Sequence, residues 1–289
     1  MVSPSPFRAH RPRHRFGQHW LVDAGVLRRI VEAAELTATD RVLEVGPGRG
    51  GLTEELLASP AAGVTAVELD RDLVEGLRQR FSAEPRLTLL SGDILTLPLP
   101  PPGPGGLTKV VANIPYNITG PLLERLLGRL DRPVTPPWSR LVLLVQQEVG
   151  ERIRATAGTS AYSALSVRLQ LLAACRAICA VPPCCFQPPP RVHSEVISLD
   201  PFPPERRLPA EEATALERLL RRAFAARRKM LRNSLAGLAP EASLAGMAEE
   251  VGVSLRSRPQ ELSPPQWVAL ATRLNRANLL GGQAPQRDG

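Results

Sequence analysis

The chain has 289 residues, 43% of them hydrophobic, enough apolar material for one large domain or a large and a small one. Lysine and arginine outnumber aspartate and glutamate by 36 to 28, and the resulting net charge of +8 points to a polyanionic partner. No uninterrupted apolar stretch approaches membrane-spanning length, and Met1 to Arg15 lacks the apolar centre of a secretory signal, so a soluble, cytoplasmic protein without membrane attachment is expected.

In chain order, the Pro- and Arg-rich segment 1–14, with His10 and His14, reads as a flexible basic arm. Arg41 to Val45 is a short apolar strand that runs into Gly46-Pro47-Gly48-Arg49-Gly50-Gly51 and then into the helical Leu52 to Leu57. Glycines suit such a turn because a tight strand-to-helix reversal uses positive φ, and because a Cβ would block close approach of a ligand. The strand Val64 to Val67 ends in Glu68, a carboxylate expected to bind ribose hydroxyls. Leu87 to Leu90 ends in Gly92-Asp93, where Asp93 is placed to accept from an adenine amino group. Gly46, Gly48 and Gly51 also spell the dinucleotide pattern G-x-G-x-x-G, so a dehydrogenase competes. Glu44 argues against it: a carboxylate there is unwelcome beside a pyrophosphate and welcome beside an ammonium and a sulfonium. S-adenosylmethionine is therefore the expected cofactor.

After an irregular Pro/Gly loop from Leu97 to Gly106, the strand Lys109-Val110-Val111 leads to Asn113-Ile114-Pro115-Tyr116. At the carboxyl end of a parallel strand, the Asn113 side-chain carbonyl and the Ile114 backbone carbonyl can accept both N–H bonds of an exocyclic amine. Pro115 stiffens the turn, and Tyr116 offers a ring on which a base can stack. The competing reading is a plain strand and proline turn with Tyr116 in the core. A helix over Pro121 to Leu130, a loop over Arg132 to Trp138, a strand over Leu141 to Val145, a helix entered through Gln146 to Glu148 and another over Ser160 to Ala174 are expected next. Strands near Ala177 to Val181 and Glu195 to Leu199 flank the prolines of 182–190.

The four cysteines, Cys175, Cys179, Cys184 and Cys185, contain no C-x-x-C pair, and two of them sit in an apolar run, so buried reduced thiols are expected and no metal site. Beyond Pro204 the pattern turns wholly helical, over Glu211 to Phe224, Ser243 to Val251 and Pro265 to Leu274. Arg221, Arg222, Arg227, Arg228, Lys229 and Arg232, with Arg218, form a basic cluster expected to face RNA phosphates. The alternative is that these arginines pair with Glu211, Glu212 and Glu217.

Jointly, Arg15 to Leu21, Glu44 to Gly51, Glu68-Leu69-Asp70, Gly92-Asp93, Asn113 to Tyr116, Gln147-Glu148-Val149 and Phe186 to Ser194 (F-x-P-x-P-x-V-x-S) resemble the ribosomal RNA adenine dimethylase family. The resemblance covers most of residues 15–200. It implies an α/β fold, a Rossmann-like methyltransferase sheet over 15–204 whose last two strands form a hairpin, with the final strand antiparallel. A small all-α RNA-binding domain follows over 205–280, and then a tail, 281–289. It implies donor contacts at His19, Leu21, Gly46, Glu68, Asp93 and Asn113, to which the glycine turn adds Gly48. It also implies that Tyr116 and Phe186 hold the target adenine between them. His19 and Trp20 depart from the family's commonest asparagine and phenylalanine. Asn-Ile-Pro-Tyr with isoleucine resembles the branch that dimethylates large-subunit (23S) RNA and confers macrolide resistance. The Gly46-Pro47-Gly48 turn, the Phe186 to Ser194 motif and the long carboxyl-terminal extension resemble the housekeeping branch, which dimethylates two adjacent adenines near the 3′ end of small-subunit (16S) RNA. The expected protein is thus a monomeric enzyme acting on the assembling 30S subunit. A nonenzymatic RNA-binding relative and a DNA amino-methyltransferase are the readings from other classes.

Overall fold

The computed structural model describes residues 19–100, 102–103, 105–136 and 138–280. The expected basic arm, Arg15 to Gln18 of the first motif, and the tail lie outside them. In chain order the elements are β1 (Trp20–Leu21), α1 (Ala24–Ala33), β2 (Arg41–Val45), α2 (Gly51–Ala58), β3 (Gly63–Glu68), α3 (Arg71–Arg80), β4 (Leu87–Ser91) and β5 (Lys109–Asn113). Then come α4 (Thr119–Leu127), β6 (Gly128–Arg129), β7 (Arg132–Pro133), β8 (Arg140–Gln146), α5 (Gln147–Arg154), α6 (Ala164–Leu172), β9 (Ala173–Val181), β10 (Phe186–Gln187) and β11 (Ser194–Pro201). The remaining helices are α7 (Ala210–Phe224), α8 (Leu231–Ser234), α9 (Glu241–Glu249) and α10 (Pro264–Arg276).

Seven strands form one sheet in the order β4-β3-β2-β5-β8-β11-β9. The chain builds outward from β2 through β3 to β4, then returns to the other side of β2 as β5, with β2, β3, β4, β5 and β8 mutually parallel. That reversal opens a crevice at the carboxyl ends of β2 and β5, the place where open α/β sheets bind ligands. The strands are near-continuous apolar runs because both faces are covered: Val42, Leu43, Val110, Val111 and Leu141 to Val145 are all inaccessible to solvent. β11 runs antiparallel to β8 and lies between it and β9, the edge strand. Two of the helices on this sheet, α1 and α3, start on side-chain caps. Asp23 accepts from the Val26 N–H and Asp70 from the Asp72 N–H, each satisfying an amide that has no intrahelical partner.

The cysteine expectation needs correcting. Only Cys185 is buried; Cys175 and Cys179 are half-buried on β9, and Cys184 is exposed. An edge strand leaves much of its surface to solvent, so an apolar run there does not mean burial.

Close packing divides the chain into two units. Among the described residues, one takes in those up to Gly128 together with Val134–Gly150 and Ala174–Pro201; the other takes Arg129–Pro133, Glu151–Ala173 and those from Phe202 to Leu280. In the second unit α7 packs on α10 around the inaccessible Trp267, whose ring lies 5.5 Å from that of Phe224. Glu217, 2% exposed, accepts from Nε of Arg168 with both oxygens, at 3.0 and 2.9 Å. It is therefore not the partner of the basic cluster on its own helix.

Candidate active site

A cavity of about 380 Å³ opens at the carboxyl ends of β2, β3, β4 and β5. Its wall brings together His19, Gly46, Gly48, Glu68, Asp93, Asn113, Ile114 and Tyr116, eight of the ten positions expected to serve donor or amine. Trp20, Leu69, Leu73, Ile94 and Leu95 supply apolar surface between them. Leu21 lies instead in the wall of a smaller adjoining cavity of about 250 Å³, which shares Trp20, Gly46, Gly48 and Asn113 with the first. Phe186 lines neither. Its ring is 4% exposed and packs in the apolar cluster with Leu21, Val26 and Leu27, across the short β1–β10 pairing of Leu21 with Phe186.

The glycine turn is held by its own backbone. Gly46 donates to the Val67 carbonyl at 2.9 Å, and Gly46 and Gly48 take φ of +67° and +60°, a region that side chains rarely adopt. A Cβ on Gly46 would still find room, with its nearest neighbour 3.8 Å away, whereas one on Gly48 would sit 2.8 Å from Cδ1 of Trp20. Gly46 is thus required by conformation, and Gly48 by conformation and close packing together. Glu68 uses one oxygen to accept from the Gly48 N–H at 3.1 Å and the other to accept from the Asp70 N–H at 2.9 Å. Burial outweighs those bonds and raises its pKa. Asp93 accepts from the Leu95 N–H at 2.9 Å, which sets the turn after β4.

Glu44 does not face a ligand. It is 1% exposed beneath the turn, Oε2 accepts from the Thr53 hydroxyl at 2.8 Å, and Oε1 has no partner. Burial, with the neighbouring Glu68 adding to it, pushes its pKa up to about 8, so at neutral pH it is mostly an uncharged acid. The charge argument made for it from the sequence is therefore replaced: its effect on the turn runs through a hydrogen bond to α2.

At the amine end, Asn113 is the last residue of β5, and the next N–H, of Ile114, donates to the Leu144 carbonyl at 3.1 Å. Nδ2 of Asn113 donates to the His19 carbonyl at 3.3 Å, which leaves Oδ1 as the atom that accepts. The His19 ring stacks beside Tyr116 with centroids 6.0 Å apart and planes 23° from parallel. Its Nδ1 lies 2.8 Å from the Pro188 carbonyl, an acceptor only, so Nδ1 carries the hydrogen. The Tyr116 hydroxyl sits 2.6 Å from that of the buried Ser194. Sequence reasoning placed Ser194 in a motif without giving it a task; only its pairing with a residue 78 positions away reveals one. His19, Asn113, Tyr116, Pro188 and Ser194 thus form one bonded frame at the cavity wall.

The basic residues of the helical unit are placed differently. α7 ends at Phe224, and residues 225–230 form turns before α8. Arg221, Arg222, Arg227, Arg228, Lys229 and Arg232 are all exposed, and among the described residues none makes an ion pair. Arg222 donates to the carbonyls of Ser234 and Ala236, and Arg227 to that of Ser160.

A parallel sheet with this reversal, a glycine turn after its first long strand and an acidic residue ending the next has the fold of S-adenosylmethionine-dependent methyltransferases. The sequence profile of the ribosomal RNA adenine dimethylases matches residues 9–276. The chain is 65% identical to the ribosomal RNA small subunit methyltransferase A of Parasynechococcus marenigrum, over 93% of this chain and 89% of that one. It is also 65% identical to the protein of that name from a Synechococcus strain, over 94% and 99%. Among solved structures it resembles a dimethyladenosine transferase from Plasmodium falciparum, with a TM-score of 0.77, 26% identity and coverage of 90% and 98%. For the 23S rRNA methyltransferase ErmE the TM-score is 0.69, with 27% identity and coverage of 89% and 99%. The chain belongs to the ribosomal RNA adenine dimethylase family, and it is a methyltransferase.

Proposed function

We propose that the protein dimethylates the N6 amino groups of two adjacent adenines near the 3′ end of small-subunit (16S) ribosomal RNA, using S-adenosylmethionine, late in assembly of the 30S subunit. It would act as a cytoplasmic monomer. The observation that carries this reading is the convergence of Glu68, Asp93 and Asn113 on one wall, where they would serve the donor's ribose hydroxyls, its adenine amine and the target amine in turn. The small-subunit target is preferred to the 23S alternative because relatives named for the small subunit are 61 to 65% identical, whereas ErmE is 27% identical. Intact Asn113, Glu68 and Asp93 speak against a nonenzymatic relative.

The wall fits the donor. Its volume falls in the range of ligand sites, and its lining sets the polar Glu68, Asp93 and Asn113 beside the apolar Leu69, Leu73, Ile94 and Leu95, as a ligand with both hydrogen-bonding groups and a flat apolar base requires. Gly46 and Gly48 would take the donor's main chain side, Glu68 its ribose hydroxyls, and Asp93 its adenine amine, with His19 beside them and Leu21 in the adjoining cavity. When bound, the donor supplies an electrophilic methyl group on a sulfonium. The protein's own residues orient the acceptor. Oδ1 of Asn113 and the Ile114 carbonyl accept the two N–H bonds of the adenine N6 and turn its lone pair toward the methyl. Tyr116, fixed by Ser194, gives the extruded base a face to stack on. Phe186 then works from behind, packing β1, which carries Leu21 and directly follows His19. Once the N–C bond forms, the nitrogen is acidic and loses its proton to water or a carbonyl, so a strong base is not needed. The exposed Arg221, Arg222, Arg227, Arg228, Lys229 and Arg232 would bind RNA phosphates.

Methyl transfer from labelled S-adenosylmethionine to small subunits lacking adenine dimethylation, run beside naked large-subunit RNA with nucleosides identified by mass spectrometry, tests the reading. Dimethyladenosine in the small subunits alone is expected. Product in the large-subunit RNA instead moves the chain to the resistance branch, and product in neither removes the enzymatic reading.

A further inference from the structure

The tripeptide Arg191-Val192-His193 is exposed between the buried Pro190 and the buried Ser194. Val192 is 42% exposed, one of few large apolar side chains so placed among the described residues. A single exposed valine is ordinary on a protein surface. This one is set apart by its mounting. On one side the Pro188 carbonyl holds the ring of His19, on the other Ser194 holds the hydroxyl of Tyr116, and between them the His193 carbonyl accepts from the Gln147 N–H at 3.0 Å. Both stems of the loop are thus fastened to residues that line the cavity. Pro188, Pro189 and Pro190 restrict φ along the approach, so little freedom remains to be lost when a partner binds.

We propose that this tripeptide is an RNA-gripping lip of the cavity. Arg191 takes a backbone phosphate, and Val192 presses on the face of the base that the extruded adenine leaves behind. The assignment rests on the methyl-transfer reading above and adds to it the residues that separate the adenine from its stack. Arg191 makes no ion pair among the described residues, so its charge is available to an anion. An apolar side chain next to a cation is a combination by which proteins unstack bases: the cation holds a phosphate of the strand while the apolar group fills the space between bases. A lip rigidly tied to His19 and Tyr116 delivers that push at a set distance from Asn113.

Single-turnover methylation of small subunits lacking adenine dimethylation, with labelled S-adenosylmethionine, tests the lip. Val192→Ser is expected to slow transfer about tenfold, with donor affinity and melting temperature unchanged, while Val192→Met stays within about threefold of the native rate. Arg191→Gln is expected to weaken subunit binding and to lower the slope of log affinity against log salt by about one. A Val192→Ser protein as fast as the native one overturns the proposal, as does a Val192→Met protein as slow as Val192→Ser, because the effect then does not follow apolar size. A native protein that methylates no small subunit overturns the methyl-transfer reading itself.

Discussion

The cavity wall and the basic segment 221–232 handle polar groups in opposite ways. In the wall the functional side chains are anchored by hydrogen bonds: Glu68 to two backbone amides, Asp93 to one, Asn113 to His19, Tyr116 to Ser194. In the basic segment the cations stand exposed, and among the described residues only Arg222 and Arg227 are tied down, each to backbone carbonyls. The difference separates two kinds of work. A reaction needs atoms held within fractions of an ångström, so its groups are fixed before the substrate arrives. Phosphate binding gains from summed charge and tolerates loose geometry.

Asn113→Ala is the strongest way to break the comparison. Methyl transfer should fall a hundredfold or more while donor affinity, read by calorimetry, changes only a few-fold; an unchanged single-turnover rate would remove Asn113 from the chemistry. Next is the buried acid beneath the turn. In the unfolded chain Glu44 ionises near its ordinary value of 4.5, and in the folded protein near about 8. Between those values the unfolded chain holds fewer protons, so stability falls as pH rises through that window, by an amount on the order of a few kcal/mol. Glu44→Gln should therefore match the native protein in thermal unfolding near pH 5 and exceed it near pH 8. Equal melting curves at both pH values would show that Glu44 titrates normally.

Tyr116→Ala should cost about 1 to 3 kcal/mol in capture of the base, with Ser194→Ala costing less. If Ser194 acts only by holding Tyr116, the double variant Tyr116→Phe, Ser194→Ala should be no worse than either single change, measured as kcat/KM on small subunits. The smallest effects belong to single charges in the basic segment. Arg228→Gln should weaken subunit binding a few-fold and reduce its salt slope by about one, without touching donor affinity. A loss as large as that of Asn113→Ala would mean that Arg228 is part of the reaction site.

Much of the site was legible because it rests on local rules. β2 runs from Arg41 to Val45 as its apolar pattern indicates, and Glu68 and Asn113 end their strands, so their placement followed from where the apolar runs stop. The amphipathic helices of the second unit lie within a few residues of their predicted spans. The grouping of Glu151–Ala173 with those helices left no local signal, because it depends on packing between segments far apart in the chain.

What the sequence determined by itself was therefore where the long strands fall along the chain, the glycine turn, the acidic residues after the strands and the basic segment, all set by periodicity, φ restrictions and charge. Tertiary structure decided which of those groups face the cavity. It turned Phe186 into the core and Leu21 into the adjoining cavity, buried Glu44 so that burial holds it largely uncharged, left Cys184 exposed, and joined Ser194 to Tyr116. These outcomes turn on burial and on contacts between residues distant in the chain, and neither is a property of a residue and its neighbours in sequence.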